Sequence, residues 1–179
     1  MTKPSTVHVG TAAWSIPTRY LDDIPAGASQ LMRYAQVFSV VEIDSSFSRH
    51  HQAATYARWA QSVGEDFRFA VKVPRELTHD GALLIGENPS RSRFFAEVAG
   101  LGLKLAVLLV QLPPRLAFEE AAARNFFSDL HAAKPSPVAI ACEPRHPSWA
   151  SPAVDELLKD LQVSRVAADP GRCRSGSLG

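Results

Sequence analysis

The strongest constraint on this chain is a regular exchange between two hydrophobic periods. Short apolar or alternating runs at residues 7–11, 40–44, 67–73, 106–112, 138–142 and 163–168 read as six strands. Between them, apolar residues recur at helical spacing over 29–38, 53–63, 90–101 and 118–132. A fifth helix follows the cap Ser151 and opens on Pro152. Strict β-α alternation means parallel strands joined by right-handed crossovers. Two architectures satisfy it, an open doubly wound sheet and a (β/α)8 barrel. No GxGxxG follows the first strand, which weakens the dinucleotide-binding version of the open sheet. A whole barrel takes eight strands and about 250 residues. The 179 residues here supply about six units. The expected fold is therefore α/β, a partial TIM-type barrel over 7–169 that stops short of its last strands. Residues 1–6 and 170–179 read as irregular tails.

Composition narrows the setting. Hydrophobic residues make up 46% and charged residues 21%, enough for one well-filled core. The formal net charge is +1, so no global field draws nucleic acid or an anionic membrane. Cys142 and Cys173 are the only cysteines, and no CxxC pair or disulfide framework is present. The polar start, residues 1–6, lacks the apolar core of a signal peptide. The longest apolar run, 105–110, is far short of the roughly 20 residues of a membrane helix. These features lead us to expect a cytoplasmic protein with no membrane partner.

Side chains alternate across a strand, so same-parity residues share a face. In the expected strands one parity is apolar, toward helices. The other carries small or polar residues: His8, Glu42, Asp44, Lys72, Gln111, Glu143, Arg145 and Asp169. In a barrel that second direction is the interior, and its late positions ring the C-terminal mouth, where barrel active sites lie. Glu42, Lys72, Glu143 and His146 are the expected catalytic group. Two carboxylates near a lysine can do acid-base work. Trp14, Asp44, Gln111, Arg145, Trp149 and Asp169 are the expected substrate contacts. Lys72 and Arg145 suit an anionic group, and Trp14, Phe47 and Trp149 suit a sugar or a base. Carboxylates with a histidine are also ligand types for a divalent metal, although no metal motif such as HExxH occurs.

Each reading has a structural counterpart. Arg145 can simply pair with Glu143 or Asp44. His146-Pro147-Ser148-Trp149 can be a rigid turn that starts the next helix. Trp59, Phe94 and Phe95 read as core, Cys142 as an inert buried thiol, and His50-His51 as a solvated loop pair.

Five stretches also carry a resemblance. Val9-Gly10-Thr11-Ala12-Ala13-Trp14, Val41-Glu42-Ile43-Asp44-Ser45-Ser46-Phe47, Phe67 to Arg75 with Thr78-His79, Val110-Gln111-Leu112-Pro113-Pro114, and Glu143-Pro144-Arg145-His146-Pro147-Ser148-Trp149 follow one another in register. Together they resemble the YecE-like family, domain of unknown function seventy-two. The resemblance implies a TIM-type barrel with the motif ends around one mouth. It has no established reaction to transfer, so it assigns no catalytic residue. Where this chain has Asp44, Ser48, Ala13 and Pro144, the family commonly has Asn, an aromatic, Gly and Phe.

The leading functional expectation is an enzyme acting on a small polar or anionic substrate at the mouth. A metal-dependent nucleic-acid-processing barrel is the second, with near-zero net charge counting against it. The third is a non-catalytic ligand-binding protein or an inactive truncated fragment.

Overall fold

The computed structural model describes residues 7–80, 83 and 88–168. Its strands are β1 (Gly10–Ala12), β2 (Val40–Ile43), β3 (Arg68–Lys72), β4 (Leu105–Gln111), β5 (Ala139–Glu143) and β6 (Val163–Arg165). The α-helices are α1 (Gln30–Tyr34), α2 (Ala53–Gln61), α3 (Pro89–Val98), α4 (Glu120–Ala133) and α5 (Pro152–Asp160). Every strand pairs parallel with its neighbour in sequence, in the order β1-β2-β3-β4-β5-β6. A doubly wound sheet would reverse its order from an inner strand. Unbroken sequential order is the wall of a barrel, and the alternation of elements resolves in that direction.

Local chemistry sets the helix starts. Ser29, Asn88 and Ser151 each accept a first-turn N–H, at 3.2, 2.9 and 3.3 Å. Glu119 caps α4 by accepting from the N–H groups of Ala121 and Ala122. The first helix ends earlier than its pattern suggests, because the N–H groups of Gln36 and Val37 bond only three residues back, to the carbonyls of Arg33 and Tyr34. The first strand starts later than expected. Pairing begins where Gly10 lies against Val40, so closely that a Cβ at Gly10 would collide with the Val40 carbonyl. His8 therefore precedes the strand, exposed, with Nδ1 2.9 Å from Ser39 Oγ, and not deep on the inner face. The sixth strand covers only the first half of its expected span. Asp169 and Cys173 lie outside the described residues.

One strand parity packs into a single core with the helices. Val41, Ile43, Phe69, Val71, Leu108, Val110, Ile140 and Cys142 are each at most 1% exposed. They meet Tyr56, Phe94, Phe127 and Leu158 from the helices. Cys142 is thus the buried thiol that its parity predicted. The opposite parity, with Glu42, Ala70, Lys72, Leu109, Gln111, Ala141 and Glu143, is half-buried.

An irregularity makes that second face continuous. Phe69 pairs with Leu105, but Ala70 pairs with Val107, so β4 carries an extra residue there. Leu105 faces the helices, yet two residues later the parity has switched, and Leu108 and Val110 face them instead. Without the bulge Gln111 would share the face of Leu105 and enter the helix-side core. With it, Gln111 stands on the inner face opposite Glu143.

Candidate functional site

The inner face ends in a row of polar residues. Lys72, Gln111 and Glu143 are the last residues of β3, β4 and β5, and Glu42 is the penultimate residue of β2. Four adjacent strands thus bring carboxylate, ammonium, amide and carboxylate to one edge, roughly 4.8 Å apart from strand to strand.

Lys72 is clamped from above. Its Nζ lies 2.8 Å from Asp44 Oδ1 and 4.7 Å from the centroid of the Phe47 ring, a cation-π contact. The turn that carries these partners is fixed by Ser46. Its buried hydroxyl lies 2.8 Å from the Ile43 carbonyl and 2.7 Å from that of Lys72, tying the turn to β2 and β3. The lysine side chain is only 12% exposed, while Asp44 is half exposed. The aspartate at this position therefore supplies a full counter-charge at the rim.

Glu42 sits behind this pair. Burial is the main force pushing its carboxyl above the ordinary range. Asp44 and Glu143 push the same way and Lys72 opposes them. Among the described residues, nothing hydrogen-bonds the Glu42 carboxylate.

Glu143 is held differently. Gln111 Nε2 donates to one carboxylate oxygen at 2.9 Å, and Arg145 donates to the other through Nε and Nη2, both at 3.1 Å. With both oxygens engaged, Glu143 orients Arg145 and Gln111. His146 caps a 3-10 turn, Pro147–Trp149, by accepting the Ser148 N–H at Nδ1, 3.1 Å away. Ser148 Oγ accepts from the Phe118 N–H at 2.7 Å and so ties this turn to the segment after β4. Trp149 is fully buried; its Nε1 donates to the Leu116 carbonyl at 3.0 Å and its ring meets Phe118 edge-on at 5.0 Å. The structure therefore places Trp149 in the core beneath the loops. Trp14 packs edge-on against Trp59 at 5.0 Å, in a cluster with Tyr56 and His51. Lys72, Asp44, Glu42, Gln111, Glu143 and Arg145 come together at the mouth; the two tryptophans anchor its loops.

Residues 76–80 fall between the expected third strand and third helix, where no element is expected. They form one π-helical turn, Glu76–Asp80, and it brings His79 to the mouth. The His79 ring stands edge-on to Phe47 at 4.9 Å, and Nδ1 is 2.9 Å from the buried hydroxyl of Thr78. Arg115 donates to the His79 carbonyl at 2.7 Å. Burial, then Arg115 and Arg75, hold this imidazole below the usual histidine range. Its only advance signal was the Thr78-His79 pair following a strand that Pro74 stops.

His50 and His51 are not a free loop pair; both are half-buried and partnered. His50 lies 3.0 Å from Glu76 and 3.2 Å from Glu97, and these carboxylates raise its pKa. His51 Nε2 is 2.8 Å from Ser45 Oγ, and burial lowers its pKa. Among the described residues, no group of three His, Cys, Asp or Glu side chains is placed to hold a metal ion. No helix among them is long and apolar enough to cross a membrane. Two grooves of about 620 and 590 Å³ border the sheet edges, beside β6 and β1, and neither includes a residue of the mouth.

The chain's relatives fit this architecture. A family model described as "Protein of unknown function DUF72" matches residues 8–178. The chain belongs to the DUF72 family. Among curated DUF72-like relatives, the UPF0759 protein YecE of Escherichia coli K12 is 25% identical over 168 residues, covering 91% of this chain and 59% of its own length. The UPF0759 protein YunF of Bacillus subtilis is 26% identical over 113 residues, covering 60% of this chain and 40% of its own. This chain thus spans about three-fifths of the first relative. Crystal structures of DUF72 family proteins from Enterococcus faecalis and Thermotoga maritima superpose with TM-scores of 0.71 and 0.70 at 22% and 23% identity. They cover 90% and 92% of this chain, which covers 62% and 65% of them. Those likenesses show the fold. The family description carries no activity.

Proposed function

We propose that the mouth binds a small polar, anionic molecule and moves a proton on it. The observation that carries this reading is Glu42: a half-buried carboxyl pushed toward its neutral form, without a hydrogen-bond partner among the described residues, beside a lysine. A structural carboxylate would be paired, as Glu143 is. Lys72 and Arg145 serve as anion anchors, Glu42 as the acid-base group, and Glu143 as the residue that aims Arg145. Gln111, Asp44 and His146 hold the rim.

Acetate and inorganic phosphate titrated into the 179-residue chain test the binding half by NMR. Both are expected to shift the Lys72 and Arg145 signals, with Lys72→Met weakening binding at least tenfold, about 1.4 kcal/mol. Unshifted signals at millimolar anion would rule the reading out. Once a turned-over substrate is found, Glu42→Gln is expected to keep affinity and lose turnover.

A second reading has its own support, since Lys72 pairs with Asp44 and Arg145 with Glu143. On that reading the mouth is a structural charge network. Lys72→Ala would then lower stability and change no ligand response.

A further inference from the structure

The loops over β2, β3 and β4 meet around an imidazole that neither the sequence pattern nor the family description assigns. His79 is fixed on three sides. Its ring stands near-perpendicular to that of Phe47 at 4.9 Å, and the Phe47 face holds the Lys72 ammonium. Its carbonyl is taken by Arg115. Its Nδ1 faces Thr78 Oγ1 at 2.9 Å. Thr78 is fully buried, and its hydroxyl also lies 3.3 Å from the carbonyl of Pro74, four residues back. Threonine in a helical turn characteristically donates to that carbonyl. A hydroxyl has one proton. Spent on Pro74, it leaves Oγ1 as an acceptor, so Nδ1 must carry the imidazole proton and Nε2 the lone pair. Among the described residues nothing hydrogen-bonds Nε2, although the ring is partly buried. Among the described residues the charged groups around the ring are Arg115, Arg75 and Lys72, opposed by Asp80, and with burial they disfavour an imidazolium.

We infer that His79 is a ligand-reading residue of the mouth: fixed as the Nδ1–H tautomer by Thr78, it offers Nε2 to a hydroxyl or amine N–H borne by the ligand next to its anionic group. This rests on the anion-binding reading and narrows it to hydroxylated or amino anions. Phe47 touches both groups, with Lys72 Nζ 4.7 Å and the His79 ring 4.9 Å from its ring centre, and glycolate is the smallest hydroxylated anion that probes the pair.

Two measurements on the whole chain decide it. Imidazole 15N shifts of His79 should report a proton on Nδ1, and Thr78→Val, which removes the acceptor, should shift the population toward Nε2–H while Thr78→Ser preserves it. Glycolate should bind about fivefold to tenfold tighter than acetate, the worth of one net hydrogen bond. His79→Phe, which keeps a ring against Phe47, should erase that difference. An Nε2–H signal in the unsubstituted chain overturns the inference and leaves anion binding standing. Equal affinity for the two acids, both still weakened by Lys72→Met, does the same. If neither acid shifts the mouth signals, the anion reading fails, and the role of His79 falls with it.

Discussion

The two halves of the mouth are built on opposite principles. On the β4–β5 side the carboxylate and the turn are answered by protein groups: Gln111 and Arg145 occupy both oxygens of Glu143, His146 caps its own turn, and Trp149 is buried with its N–H bonded. On the β2–β3 side the Lys72 ammonium is clamped, but Glu42 and the Nε2 of His79 have no hydrogen-bond partner among the described residues. Satisfied polar networks hold shape, while partnerless polar groups at the edge of a pocket cost stability and are retained where a ligand answers them. The Glu-Pro-Arg-His-Pro-Ser-Trp stretch is the densest polar motif in the chain, yet it falls on the saturated side. Conspicuous chemistry in a sequence can be the chemistry of a scaffold.

Trp149 should break the comparison most severely. Trp149→Ala removes a fully buried indole, its contact with Phe118 and its bond to Leu116. A loss of about 3–5 kcal/mol is expected in denaturant unfolding. A loss below about 1 kcal/mol would mean that the turn does not anchor the wall. Glu143→Ala comes next, at about 2 kcal/mol, because Arg145 and Gln111 each lose an acceptor in a site where Glu143 is only 16% exposed. If Glu143→Ala proved neutral to stability, the β4–β5 side would not be the scaffold that its closed hydrogen bonds suggest.

Ala13 sharpens the picture at the end of β1. It has φ of 60°, in the left-handed region, and its N–H donates to the Glu42 carbonyl at 2.9 Å. The resemblance expects glycine there, and the conformation supplies the physical reason. Ala13→Gly should stabilise by about 1 kcal/mol, measured by thermal unfolding. A destabilisation would show that the side chain contributes packing that outweighs its backbone strain.

Much of this was readable in advance, for reasons that differ by residue. The barrel wall followed from alternating periods, because burial on one face and small or polar residues on the other leave a mark at every second position. Glu42, Lys72, Gln111 and Glu143 were legible through that parity, although the bulge that brings Gln111 inward leaves no mark in composition. His146 and Trp149 were open to two readings, site residues or a rigid turn before the next helix, and the turn is what forms; a motif reports residue types and not which of them a loop will bury. His79 was legible only as part of a family motif, not as a group of the mouth. Its place depends on a single π-helical turn after Pro74, too short to carry a hydrophobic period.

Glu42→Gln is the smallest expected effect and the most direct comparison between the halves. The folded protein holds this carboxyl above its unfolded value near 4.5, chiefly by burial, with Asp44 and Glu143 adding to it. Between the unfolded and folded pKa values the native state binds more protons than the unfolded state, so stability falls as pH rises through that window. Glutamine cannot ionise. The variant should match the parent at acid pH and become the more stable above the folded pKa, with a plateau difference below about 1 kcal/mol. Glu143→Gln should move stability the other way at neutral pH, because Arg145 would lose its charged partner. Urea unfolding at closely spaced pH values would separate them. Equal losses in both variants would place Glu42 inside the structural network and remove the asymmetry on which its proposed acid-base role depends.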